Sequence, residues 1–138
     1  MMNECDHSLL VWIDLEMSGL DLHVHTIVEI AIAITDFQLK NYVEGEGIFQ
    51  TARLRLSTFA LLLPVSGPDI VIHHDQDTLD KMNDWSRTQH TKSGLVELIK
   101  TSQVSLYEAE TAVINFLQQH CPMGTGILAG NSVFVDRW

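Results

Sequence analysis

Apolar residues fall in short runs near both ends of the chain and at helical spacing between them. Leu9-Leu10-Val11-Trp12-Ile13 is apolar and partly β-branched, which predicts a buried strand. Met17 to Asp21 predicts a turn, and Ile27 to Thr35, rich in Ile and Val, a second strand. Phe37 to Glu46 predicts a turn and the start of a third strand. Gly67-Pro68 punctuates the chain, and Asp69-Ile70-Val71-Ile72 resumes a strand pattern. From Asp77 the period changes to that of a helix, with Leu79, Met82 and Trp85 on one face. Thr91 to Gln103 is polar and broken by Gly94, predicting a loop with a short helical piece. Ser105 and Glu108 have the spacing of a capping box, in which serine accepts from the amide three residues on and glutamate reaches back. Ala109, Ala112, Val113, Phe116, Leu117 and His120 continue that helix until Pro122 and Gly124 end it. Ile127 to Gly130 predicts a short buried strand, and Asn131 to Asp136 opens a further element. Strands, then helix, then strand describe one mixed α/β domain over residues 1–138.

Composition narrows the function classes. Hydrophobic residues are 46% and charged residues 19%, enough apolar side chain for a core and unlike a disordered, collagen-like or coiled-coil chain. Eight Lys+Arg against 18 Asp+Glu leave a net charge of −10. Coating long nucleic acid by electrostatics alone needs a basic footprint that this balance excludes. A short anionic substrate remains open if metal ions supply positive charge locally. Cys5 and Cys121 have no metal-type spacing and predict thiols in a reducing compartment, a disulfide being the lesser reading. No basic, secretory-type N-terminus is visible. The longest strongly apolar stretch, Leu54 to Val65, is interrupted by Arg55 and too short to span a bilayer, so no membrane partner is expected. The expectation is a soluble intracellular protein, in cytoplasm or mitochondrion.

The sharpest chemical signal is Asp14-Leu15-Glu16, directly after the first predicted strand. Residues two apart in an extended segment point to one side, so the two carboxylates project together. Adjacent carboxylates repel, and a divalent cation relieves the repulsion; hard oxygen ligands suit Mg²⁺ or Mn²⁺. The tripeptide by itself favours a solvated strand-end turn over a metal site. Asp136, after another predicted strand, offers the third carboxylate that a two-metal phosphodiester site needs; the plain alternative is a helix-start aspartate complementing the helix dipole. The pairs His23/His25 and His73/His74 lack zinc-type spacing and are expected to be structural or exposed.

Larger blocks extend these signals. Leu10 to Asp21, with Val28-Glu29-Ile30-Ala31, resembles the first exonuclease motif of the oligoribonuclease family. Leu79 to Trp85, then His90 and Lys92-Ser93-Gly94-Leu95, resembles that family's middle segment, and Ala129 to Asp136 its second exonuclease motif. The resemblance implies a ribonuclease H-like exonuclease fold of the DEDD superfamily, a mixed sheet flanked by helices. It implies a 3′-to-5′ exoribonuclease that degrades very short single-stranded RNA, down to dinucleotides, to 5′-mononucleotides with Mg²⁺ or Mn²⁺ in a two-metal site. Asp14, Glu16 and Asp136 match its metal-binding catalytic carboxylates, and Leu20 its apolar wedge between two bases. Trp85 matches the aromatic packed on the substrate, while His90 and Ser132 match residues near the substrate's sugar and phosphate ends. Without the resemblance, Trp85 is core, Leu20 a turn residue, His90 a satisfied or surface histidine and Ser132 a helix start.

Two departures from the family pattern follow. Its third motif, a histidine and an aspartate on a late helix, falls beyond Trp138, as do late helices that supply contacts of the expected homodimer. The domain is on this reading incomplete at its C-terminal part. Glu46 to Ser66 is an added segment, expected as a protruding loop or small element, or as non-native sequence. The alternative function is a catalytically impaired member of the family that binds metal or short RNA, or serves as an interaction module. A generic metal phosphatase explains the carboxylates but not the Trp85 and Asn131-Ser132 blocks.

Overall fold

The computed structural model describes residues 9–37, 42–43 and 67–130. Asp136, Ser132, Cys5 and the added segment at 46–66 therefore lie outside the described residues. The elements are β1 (Leu9–Met17), β2 (Ile27–Asp36), β3 (Tyr42–Val43), β4 (Asp69–Val71), α1 (Gln76–Asp80), α2 (Asp84–Ser93), α3 (Leu95–Thr101), α4 (Leu106–His120) and β5 (Gly126–Ala129). The strands hydrogen-bond in the order β3-β2-β1-β5, with β4 pairing to β2 off that path. β5 runs parallel to β1 and β3 antiparallel to β2, so the sheet is mixed, as expected. Parallel pairing requires a crossover rather than a hairpin, and the helices lie in that connection. Among the described residues no helix is long and apolar enough to cross a membrane.

Contacts divide the chain into two compact units, and β1, β2, β4 and α4 each run from one into the other. The first unit holds described residues 9–14, 31–37, 42–43, 67–69 and 112–130. Its buried hydrophobic side chains among the described residues are Val11, Ile32, Ala33, Ile34, Val113 and Phe116. The Trp12 indole N–H donates to Thr35 Oγ1 at 2.9 Å, so the largest ring of β1 keeps a polar partner. Gly67-Pro68 marks a close backbone approach: Ile32 N donates to Pro68 O at 3.0 Å, and a Cβ on Gly67 would collide with Ile32 O. Cys121 is a free, half-buried thiol. The buried strand expected near Ile127 forms, but Ile127 is 47% and Leu128 37% exposed. Among the described residues β5 ends the hydrogen-bonded path, so its side chains have a neighbouring strand on one flank.

The second unit holds residues 15–30 and 70–111. Its core is Val28, Leu79, Met82, Leu95 and Ile99, with Val71 and Leu98 packed against it. Asp75 caps α1, accepting from Thr78 N and Thr78 Oγ1, both at 2.9 Å, and these bonds hold its carboxyl below the usual range. The expected single helix face of Leu79, Met82 and Trp85 is not observed. α1 stops at Asp80, and Asn83 starts α2 by accepting from Ser86 N at 2.7 Å. The new helix changes phase, so Leu79 and Met82 stay in the core while Trp85 turns outward. Thr91 to Gln103, expected as mostly loop, is mostly helix: α2 continues to Ser93 and α3 follows at once. Gly94, at φ +82°, is the left-handed residue that ends α2 and admits α3. The polar look of this stretch came from the exposed Lys92, Glu97 and Lys100, while Leu95 and Ile99, four apart, are buried. The capping box forms as expected: Glu108 N donates to Ser105 Oγ at 3.2 Å and Ser105 N to the Glu108 carboxylate at 2.8 Å. The bonds that Ser105 N and Ser105 Oγ donate to the carboxylate hold the Glu108 carboxyl below its ordinary value.

Candidate active site

β1 continues beyond the expected apolar run, so Asp14, Leu15 and Glu16 lie within the strand rather than after it. The alternation of a strand puts Asp14 and Glu16 at successive same-side positions. Asp14 is exposed and Glu16 half-buried. As a donor set, two hard carboxylate groups reachable from solvent fit Mg²⁺ or Mn²⁺. Asp136 lies outside the described residues, and among those described no group of three or more His, Cys, Asp or Glu is placed to hold a metal ion.

The end of β1 is held from several directions. Ser18, almost fully buried, donates from its amide to Thr26 O at 2.9 Å, and its Oγ accepts from Thr26 N at 3.0 Å. Asn83 N donates to Ser18 O at 3.0 Å. His90, 2% exposed, places Nε2 2.9 Å from Met17 O and Nδ1 3.8 Å from Glu16 Oε2. A carbonyl only accepts, so Nε2 carries the proton of the first contact. At 3.8 Å the second is an ion-pair distance, long for a direct hydrogen bond. Neither the Asn83 anchor nor the pairing of Glu16 with His90 was visible in the sequence. Asn83 did carry one signal, an N-cap residue type three positions before Ser86.

The turn after β1 displays Leu20. Val24 N and His25 N donate to Asp21 O at 3.0 and 2.7 Å, His23 N donates to Asp21 Oδ1 at 3.0 Å, and Asp21 N donates to His25 Nδ1 at 3.0 Å. The His25 ring lies where a Cβ on Gly19 would sit, 2.5 Å from its nearest atoms. Only glycine lets the turn fold this tightly, and Leu20 is left 72% exposed. Trp85, in the first turn of α2, is 70% exposed. Tyr107 and Met123 are exposed at least as far, so exposure by itself does not mark a contact surface. The paired histidines are as expected: His23 and His73 are exposed, His25 serves the turn, and His74 Nε2 hydrogen-bonds Ile27 O at 2.8 Å.

Comparison with known proteins adds an independent line. A family model described as exonuclease matches residues 11–137. The chain is 45% identical over 129 residues to an oligoribonuclease of Corynebacterium diphtheriae, covering 93% of this chain and 51% of that protein. It is 42% identical over 127 residues to an oligoribonuclease of Arabidopsis thaliana, covering 92% and 47%. It is 40% identical over 128 residues to a probable oligoribonuclease of Dictyostelium discoideum, covering 93% and 56%. The chain spans about half the length of these curated relatives.

Proposed function

Because the chain belongs to the exonuclease family, we propose that it acts as a 3′-to-5′ exoribonuclease on very short single-stranded RNA, releasing 5′-mononucleotides. The observation that carries this reading is the Asp14-Leu15-Glu16 segment, which sets two accessible carboxylates at same-side positions of β1 inside the matched region. Asp14, Glu16 and Asp136 are proposed as the ligands of Mg²⁺ or Mn²⁺. Bound there, divalent cations supply Lewis-acid activation of water and neutralise charge on the leaving 3′-oxygen. The reaction adds water across the last phosphodiester: the bond from phosphorus to the 3′-oxygen breaks, leaving a 3′-hydroxyl on one product and a 5′-phosphate on the other.

The remaining roles fall to side chains that touch the substrate. Leu20 is proposed as a wedge between bases and Trp85 as a stacking surface; stacking is sequence-tolerant because every base has a π-face. Ser132 is proposed near the phosphate end. With a net charge of −10, affinity rests on metals and apolar contacts, giving a shallower salt dependence than a basic groove would show. The test is release of mononucleotide from a labelled RNA dinucleotide with and without EDTA, beside Asp14→Ala. Activity that survives both treatments sinks the metal assignment, and dinucleotide binding without turnover supports the catalytically impaired alternative. The family's homodimer is checked by sedimentation equilibrium.

A further inference from the structure

We propose that His25 is a positioning residue for Leu20: its imidazole holds the two residues that flank Leu20, and so sets the backbone from which that side chain stands out of the turn. The inference rests on the reading of Leu20 as a wedge between bases. It starts from the display itself. Leu20 is 72% exposed, so its own packing does little to fix where it points. What fixes it must act on the backbone to either side, at Gly19 and Asp21.

Both neighbours meet one ring. At Gly19, His25 Cε1, Nδ1 and Cγ stand 2.5, 2.5 and 2.6 Å from where a Cβ would lie, so the ring rests directly against this glycine. At Asp21 the backbone N–H donates to His25 Nδ1 at 3.0 Å. In return His25 N donates to Asp21 O at 2.7 Å, which ties the two residues in both directions. Ser18 and Thr26 close the base of the same turn through Ser18 N to Thr26 O and Thr26 N to Ser18 Oγ. The base is thus set by backbone and serine, and the stretch around Leu20 by the histidine. A backbone N–H only donates, so Nδ1 presents its lone pair and the neutral ring carries its proton on Nε2. An apolar ring would cover Gly19 equally well and leave the Asp21 N–H without this acceptor. Asparagine would keep it, because its Oδ1 lies as many bonds from the backbone as Nδ1 does. A turn set before binding does not pay the entropy of ordering when substrate arrives. Without the His25 contacts Leu20 is present but unplaced, so the loss cannot exceed that of removing Leu20.

The experiment is equilibrium dialysis of a radiolabelled RNA dinucleotide in EDTA. It compares wild type, Leu20→Ala, His25→Ala, His25→Asn and the double variant Leu20→Ala/His25→Ala. Leu20→Ala should weaken binding by about 10-fold, the scale of burying a leucine-sized side chain. His25→Ala should give a several-fold loss no larger than that, and His25→Asn should recover most of it. The double variant should bind as Leu20→Ala does, since a residue acting through Leu20 has nothing left to act on, whereas independent contributions add. Equal losses from His25→Ala in both backgrounds overturn the proposal. So does wild-type affinity in His25→Ala, or an asparagine variant as weak as the alanine one. No dinucleotide binding by wild type, or none lost in Leu20→Ala, sinks the wedge reading and the proposal with it, a distinguishable result. Should the His25 variants not fold, the wild-type ring decides. At about pH 8, above the ordinary histidine range, ¹⁵N spectra should show Nδ1 of His25 unprotonated and Nε2 protonated; a proton on Nδ1 overturns the proposal.

Discussion

Within the second unit, large side chains meet opposite fates. Val28 and Ile99 are 0% exposed and share a core with Leu79, Met82 and Leu95. Leu20 and Trp85 are 72% and 70% exposed. Burying a side chain of this size is worth roughly 1.5–3 kcal/mol. The display of Leu20 and Trp85 forgoes that gain, so folding stability does not account for it. The core cluster is what the fold needs; the displayed pair, proposed above to contact substrate, is spare to it.

The contrast can be broken by experiment. The largest effect should come from the buried side. Ile99→Ala should lose about 2–5 kcal/mol of stability through transfer and cavity terms, read from urea unfolding. A loss under about 1 kcal/mol would mean the cluster is not the core of this unit. Trp85→Ala should show the reverse pattern. Its unfolding free energy should stay within about 0.5 kcal/mol of wild type, while dinucleotide affinity falls by about 1–3 kcal/mol. A clear drop in stability without loss of affinity would return Trp85 to the core. Gly94→Ala sharpens the geometry between the two groups. Nothing lies within 4 Å of the added methyl, so the cost is only that of a left-handed backbone, roughly 1–2 kcal/mol. A neutral result in urea would show that the α2–α3 junction relaxes.

The smallest effect is acidic. Asp75 and Glu108 have folded-state carboxyls lowered mainly by hydrogen bonds from Thr78 and from Ser105. Their contribution is fully present above the ordinary carboxylate range, about pH 4–5, and is lost as pH falls through the lowered folded values. Ser105→Ala should therefore melt slightly below wild type at neutral pH. The gap should narrow in acid, as followed by circular dichroism, leaving the share due to the lost Ser105 Oγ cap of Glu108 N.

The parts legible in the sequence are those whose cause is local. The capping box at Ser105 and Glu108 was readable because both partners lie within one turn. The strand runs at Leu9 and Ile27 were readable from their apolar and β-branched composition. Asp14 and Glu16 were readable as a pair because strand alternation needs no tertiary information. Local rules also explain the misses. Asn83 restarts the helix, so periodicity counted from Leu79 through Trp85 crosses a phase break. Gly94 separates two helices whose outward faces are polar, and the pattern looked like loop. The exposure of β5 depends on which strands neighbour it, which no run of residues encodes. The clamp from His90 to Met17 spans 73 positions, and only the folded chain shows it.

The register that sets Leu9 against Gly126 and Trp12 against Ala129 bears on how the molecule is made. β1 leaves the ribosome well before its parallel partner β5. At roughly 5–20 residues per second, the nascent chain holds one edge of β1 unpaired for several seconds. An apolar strand waiting that long is a ready target for holdase chaperones or for another chain's edge.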